Sequence, residues 1–215
     1  MSTIAEKQKQ DGMHVLFPTL IYQAWYPDYS TEHEKLIAFV RQLAEQDKEG
    51  QNYSAQQYHN GFTSYSSRNN LFTAEQLSGL VGFLHQCAAN FARQHNWDTE
   101  NFVPVMNTLW ANINPKYSFH AEHLHPYSHI SGVFYVACEP GSPVISFKDP
   151  RPARWMMPPV ADGTRAENTF HARVVPEPGK LLMFPSWLEH GVAQNQDNNE
   201  RMSMSFNFEM RPRTT

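Results

Sequence analysis

The sequence predicts a mainly β fold, a jelly roll or barrel, with two helices buttressing one side. Three observations lead there. Two amphipathic segments occupy the N-terminal half, a series of short β-rich runs separated by Pro, Gly and Asn follows residue 103, and the last of these runs alternates strictly between polar and apolar residues.

Residues 1–13 are polar and are expected to form a flexible tail, with residues 14–215 making one domain. His14–Trp25 (HVLFPTLIYQAW) reads as a strand that Pro18 interrupts, which places it at a sheet edge or a bulge. The helices fall within 31–95. Thr31 with Glu34 three residues on has the form of a capping box, and Leu36, Ile37, Val40, Leu43 and Ala44 then recur at helical spacing before Gly50 ends the segment. Thr73 with Gln76 repeats the device ahead of Leu77, Leu80, Val81, Leu84, Ala88 and Phe91. Between the helices, Gln51–Asn70 is polar and aperiodic, a long loop suited to binding.

The β-rich core spans 103–210, in runs Val103–Asn114, Tyr117–His125, Ser131–Cys138, Val144–Lys148, Thr169–Val175, Lys180–Phe184, Gly191–Gln194 and Arg201–Met210. Asp149–Asn168 is a Pro-rich insertion, and with Gln51–Asn70 it is expected to frame the mouth of a pocket, with Arg151 or Arg154 available to a substrate.

Composition narrows the function. The net charge of -4 and the lack of any Lys/Arg run give no footprint for nucleic acid or for an anionic membrane surface. Cys87 and Cys138 are far apart, so no disulfide framework is expected, and no eighteen-residue apolar run or secretory leader is visible. A cytoplasmic protein acting on a small-molecule or peptide substrate fits, with a homodimer left open.

Histidine is the outlier: eleven in 215 residues, with His120, His123, His125 and His129 inside ten positions. Strand side chains alternate faces, so His123 and His125 present two imidazoles to one point. His190, in a turn after Pro185-Ser-Trp-Leu-Glu, can be folded back over that pair by a jelly roll. Three ligands on one side of an ion leave positions open for chemistry, although a His-rich tract can also be a solvated surface. His120 and His129 are expected to be supporting or surface residues, and His59, His85 and His171 ordinary ones.

In Arg201–Met210 the residues Met204, Phe206 and Phe208 alternate with Arg201, Ser203, Ser205, Asn207 and Glu209. If the apolar face packs on the core, Arg201 lines a lumen, where a buried cation calls for an anion such as a carboxylate. Trp110, Asn112 and Asn114 share one strand face, and Ser131, Val133 and Tyr135 another.

Taken in order, Leu16-Phe-Pro-Thr19, Trp110-Ala-Asn112, His123-Leu-His125-Pro, Ser131-Gly-Val-Phe-Tyr135-Val, Phe184-Pro-Ser-Trp-Leu-Glu-His190 and Arg201-Met-Ser203 resemble the 2-oxoglutarate-Fe(II) oxygenase family of bacteria and phages. The resemblance implies a double-stranded β-helix, a cupin-like jelly roll. It also implies a dioxygenase, a hydroxylase in the first instance, with Fe(II) on His123, His125 and His190 and 2-oxoglutarate as cosubstrate. Arg201, Ser203 and Tyr135 would grip the distal carboxylate, with Asn112 beside them. The wider superfamily carries His-x-Asp or His-x-Glu where this chain has His-x-His, so a second ligand set stays open: His120 and Glu122 with His190. Two alternatives accompany it. One is a cupin-type metal enzyme, suggested by Gly179, Pro185 and His190, though Trp187 stands where a cupin prefers Gly. The other is a non-catalytic metal or small-molecule binding protein on the same fold.

Overall fold

The computed structural model describes residues 13–165 and 168–213, so the expected tail lies, except for Met13, outside the described residues. Along the chain run β1 (Tyr22–Trp25), α1 (Tyr29–Gln46), α2 (Lys48–Gln57), β2 (Phe62–Thr63), α3 (Ser78–Gln94), β3 (Phe102–Asn114), β4 (His120–His123), β5 (Ile130–Ala137), β6 (Ile145–Lys148), β7 (His171–Val174), β8 (Lys180–Pro185), β9 (His190–Val192) and β10 (Arg201–Pro212). The strands form two sheets, one ordered β1-β8-β5-β10-β3-β2 and the other β4-β9-β6-β7.

Alternation along the strands builds two cores. On β5, β8 and β10 the residues Phe134, Val136, Leu181, Met183, Met204, Phe206 and Phe208 face the helices and pack with Leu36 and Val40 of α1 and Leu80, Leu84, Ala88 and Phe91 of α3. Val133, Tyr135, Leu182 and Phe184 face the other way and meet Ile145, Phe147 and Leu188 of the smaller sheet. Full burial of each such side chain contributes about 1.5–3 kcal/mol; the first core fixes the helices on the larger sheet, and the second holds the two sheets face to face. Strand β10 is an interior strand of the larger sheet, pairing antiparallel with β3 on one side and β5 on the other. The expected β architecture with helices on one side is therefore the observed one.

Several local expectations fail for identifiable reasons. Only Tyr22–Trp25 of the first predicted strand is extended; Phe17 takes φ 54° and Pro18 follows it, so the chain before β1 cannot join the ladder, and β1 lies at the sheet edge. Thr31 sits inside α1, its hydroxyl donating to the Asp28 carbonyl, and neither α1 nor α3 receives a side-chain cap. Thr73 instead ends a short 3-10 turn before α3. Gly50 does not end a helix but lies in the first turn of α2, where Asp47 caps it by accepting from the Gly50 N–H at 2.9 Å. The segment read as a loop over 51–70 is thus partly helical.

Candidate metal centre

Strand β4 ends on His123 and β9 begins on His190, and the two residues are direct cross-strand partners. His190 is therefore the first strand residue rather than a turn residue. His125 lies two positions beyond β4, tied down by its backbone N–H to the Ser186 carbonyl at 3.0 Å. The three imidazoles converge, with ring centroids 4.4 Å apart for His123 and His190, 4.9 Å for His123 and His125, and 5.2 Å for His125 and His190. Their ligand nitrogens all fall within 4.8 Å of one another. Nitrogens about 2.1 Å from one ion stand at most about 4.2 Å apart, so sub-ångström ring movements complete the set.

Protonation favours the same role. His123 Nδ1 lies 2.8 Å from the Ala121 carbonyl, and His190 Nδ1 lies 2.8 Å from the Leu188 carbonyl. A carbonyl only accepts, so each Nδ1 holds the proton and each Nε2 is left with a lone pair. Burial, reinforced by the neighbouring histidines, pushes His190 down to about 4 and His125 to about 3. Both rings are neutral near pH 7, the state a metal requires.

A β-bulge accounts for the crowding. His120 pairs with Val192 while His123 pairs with His190, so β4 spends three steps against two on β9. The bulge turns His120 and His123 to the same side, and their rings stack at 4.5 Å. His120 packs edge-on against Tyr58 at 5.0 Å, and the Tyr58 hydroxyl accepts from Asn114 Nδ2 at 2.7 Å. Gly191 permits the close approach of the two strands, since a Cβ there would sit 2.9 Å from the His120 carbonyl oxygen. Phe184, 4.5 Å from His190, gives the centre an apolar floor.

Beside the triad lies the polar recess expected from β10. Arg201 is 3% exposed, its Nη1 donates to Ser203 Oγ at 3.3 Å, and its guanidinium lies 4.9 Å from the centre of the Tyr135 ring. Asn112 Nδ2 donates to Ser205 Oγ at 3.1 Å. Among the described residues four buried side-chain polar atoms lack a partner, and three of them are here: Arg201 Nε, Tyr135 Oη and Asn112 Oδ1. Burial pushes the Tyr135 phenol up while the adjacent guanidinium opposes the shift, yet no hydrogen bond of good geometry joins the two. Two of these, Arg201 Nε and Tyr135 Oη, are unpaired buried donors at a guanidinium, a site chemically suited to a carboxylate, whereas the Asn112 oxygen is an acceptor.

A family model described as "Putative 2OG-Fe(II) oxygenase" matches residues 108–207, a segment that runs from β3 through all three histidines and Arg201. Over that segment the chain is similar to the 2OG-Fe(II) oxygenase family. Among solved structures, it is similar to a Pseudomonas putida prolyl-4-hydroxylase, at 20% identity over 90% of this chain and 94% of the other, with a TM-score of 0.59. It is also similar to SnoN, described as a non-heme alpha-ketoglutarate-dependent epimerase from nogalamycin biosynthesis, at 10% identity over 88% and 77% with a TM-score of 0.62. A third is HygX from Streptomyces hygroscopicus with nickel, 2-oxoglutarate and hygromycin B bound, at 12% identity over 89% and 83% with a TM-score of 0.56. At these identities the likeness is one of fold, the jelly roll. No protein of curated function matches the chain.

The alternative carboxylate ligand is engaged elsewhere. Glu122 is exposed and accepts from Lys148 Nζ at 3.2 Å and pairs with His171 Nε2 at 2.8 Å. Among the described residues, the group close enough to share an ion is His123, His125 and His190. His129 is a surface residue whose Nδ1 accepts from the Met210 N–H at 3.1 Å. Outside the triad an outer chamber of about 550 Å³ is lined by Tyr53, Tyr58 and Tyr65 from the 51–70 segment, as expected of that segment, together with His59, Trp110 and Phe119. No described residue of Asp149–Asn168 lines it. Arg151 and Arg154 instead pair with Asp149, and Arg154 stacks on Phe170, which folds the insertion against its own base. Tyr58 and the inward turn of His120 escaped sequence reading, one because it comes from an irregular polar segment, the other because a bulge breaks the alternation on which strand reading depends. No described helix is long and apolar enough to cross a membrane.

Proposed function

We propose that the chain is a non-heme Fe(II)- and 2-oxoglutarate-dependent dioxygenase, acting as a hydroxylase on a small-molecule or peptide substrate. The observation that carries this reading is the buried, partly unsatisfied Arg201 and Asn112, with Tyr135 beside the guanidinium, lining the same recess as three converging imidazoles.

His123, His125 and His190 would hold the iron. When bound, Fe(II) supplies the activation of dioxygen that couples oxidative decarboxylation of 2-oxoglutarate, releasing succinate and carbon dioxide, to oxidation of a substrate C–H bond. Arg201, with Ser203 and Tyr135, fixes the distal carboxylate of the cosubstrate, and Asn112 offers a further polar contact. An all-histidine set leaves the centre one charge more positive than the usual two-histidine, one-carboxylate set, which adds to the attraction for a dianionic cosubstrate. The inner recess has about 30 Å³ of free space, room for about two waters. Entry of a five-carbon dicarboxylate therefore displaces solvent and re-seats the Arg201 side chain. Phe184, Trp110 and Val133 limit water on the reacting side. A cupin-type reading uses the histidines but has no need of the buried guanidinium.

The test is an anaerobic titration. Addition of 2-oxoglutarate to the Fe(II)-loaded protein is expected to raise the weak visible metal-to-ligand band, and oxygen with ascorbate to release succinate, faster with an accepted substrate. No band at millimolar 2-oxoglutarate would return the assignment to the cupin or binding-protein alternatives.

A further inference from the structure

One face of β10 runs through both compartments. Arg201, Ser203 and Ser205 line the inner recess, and Asn207 and Glu209 line the outer chamber. The face thus passes from a buried cation at its deep end to a carboxylate at its mouth. Four residues separate Ser205 from Glu209, about 14 Å along an extended strand.

The outer chamber has a one-sided charge. Glu209 is its lining carboxylate, and no Lys or Arg is among the described residues that line it. The carboxylate is held in place by a β-bulge. Asn207 pairs with Thr108 and Phe208 with Met106, so Asn107 is the extra residue of β3, and its Nδ2 donates to Glu209 Oε1 at 2.8 Å. Oε2 accepts from Arg211 Nε at 3.0 Å, an exposed pair of the kind that contributes little in water.

The rest of the wall is aromatic. Tyr65 meets Trp110 edge-on at 5.0 Å, and Tyr65 and Phe119 keep 44% and 41% of their surface exposed toward solvent. Tyr127, on the same rim, is 96% exposed and held at φ 69°. A bulky residue in the left-handed region is strained, and here no packing of its ring on the protein offsets that strain. Strain that presents an unpacked ring at the rim of a cavity points to a ligand contact.

Resting on the reading that this chamber opens on the histidine centre, we propose that it admits a substrate bearing a positive charge. The cation lies at Glu209, the apolar length lies against Tyr65, Trp110, Phe119 and Tyr127, and the carbon to be oxidised lies about a dozen ångströms inward. An anion entering by this route would meet a carboxylate offset from outside the lining by its exposed pair with Arg211, whereas a cation gains both the carboxylate and the faces of the rings.

Three probes of one length separate the possibilities: 1,8-diaminooctane, 1,8-octanediol and suberate. Their binding is measured by calorimetry on the protein loaded with Ni(II) and saturating 2-oxoglutarate, so that suberate cannot occupy the Arg201 recess, and again on metal-free, cosubstrate-free protein. The diamine is expected to bind at least tenfold tighter than the diol, suberate no better than the diol, and the preference to shrink with added salt. Glu209→Gln is expected to bring the diamine down to the affinity of the diol, and Arg211→Gln, which frees the carboxylate, to strengthen the diamine alone. Equal binding of diamine and diol, no diamine binding at millimolar concentration, or a preference that survives Glu209→Gln overturns the proposal. The metal-free arm keeps this separate from the dioxygenase reading, because loss of 2-oxoglutarate binding would leave the charge preference measurable.

Discussion

Replacing Arg201 with Met separates a buried cation's role in folding from its role in binding. The guanidinium is 3% exposed and has one hydrogen bond, at 3.3 Å to Ser203, and an aromatic ring at 4.9 Å, with Nε unpaired. A desolvated charge so thinly compensated contributes little to the free protein, so an apolar side chain of similar length is expected to leave the melting temperature unchanged or raised. A dicarboxylate bound there gains two charge-assisted hydrogen bonds of about 1.5–3 kcal/mol each. Losing a net ~3 kcal/mol of that weakens the dissociation constant on the order of 150-fold. At a hundredfold excess over its dissociation constant, a ligand stabilises by about 2.7 kcal/mol. In a chain of this size that is a rise of about 5–10 °C. Differential scanning fluorimetry with and without 2-oxoglutarate, in the presence of Ni(II), reads both effects: a wild-type shift of that size, and an Arg201→Met protein that melts as high unliganded but no longer shifts. A variant that keeps the shift, or binds within threefold of the wild type, would remove Arg201 from the carboxylate site.

Three further expectations follow from the same geometry. Burial depresses His125 to about 3 and His190 to about 4, against about 6.5 in an unfolded chain. The metal-free fold therefore has their full contribution above pH 6.5 and loses it as pH falls toward 4, by up to about 1.4 kcal/mol per pH unit for each histidine; urea midpoints that stay level from pH 7.5 to pH 5 would contradict this. Gly191→Ala places a methyl group 2.9 Å from the His120 carbonyl oxygen, so β4 must move by a few tenths of an ångström. Ni(II) affinity should fall about tenfold, which titration calorimetry would detect. Tyr58→Phe leaves the buried Asn114 amide without the 2.7 Å partner it now donates to, so chemical denaturation should show a loss of about 1–3 kcal/mol, and an unchanged midpoint would mean that the amide finds another acceptor.

The legible parts of the sequence were those governed by periodicity. The alternation of Met204, Phe206 and Phe208 with Arg201, Ser203 and Ser205 separates core from recess in the structure as it does on paper. The spacing of His123 and His125 does bring their rings together, although β4 stops before His125. What stayed hidden were departures from regular geometry. The bulge in β4 carries His120 inward and the bulge in β3 supplies Asn107, and neither has a composition signal. Helix starts were misplaced because Thr31 and Thr73 have the residue types of a capping box but bond the carbonyls of Asp28 and Asn70 instead. Asp149–Asn168 has the length of an active-site loop, yet Arg151 and Arg154 are committed to Asp149.

Strand β10 has neighbours on both sides, Ser203 facing Asn112 on one and Tyr135 on the other. Sliding it by a single residue would drive Arg201 among the rings of the helix-side layer and put Met202 in the recess. Such a chain could not fold to a stable but silent product, because the slip that empties the anion site also ruins the interior. Cooperative melting of this sequence should thus also report that β10 is in its native register.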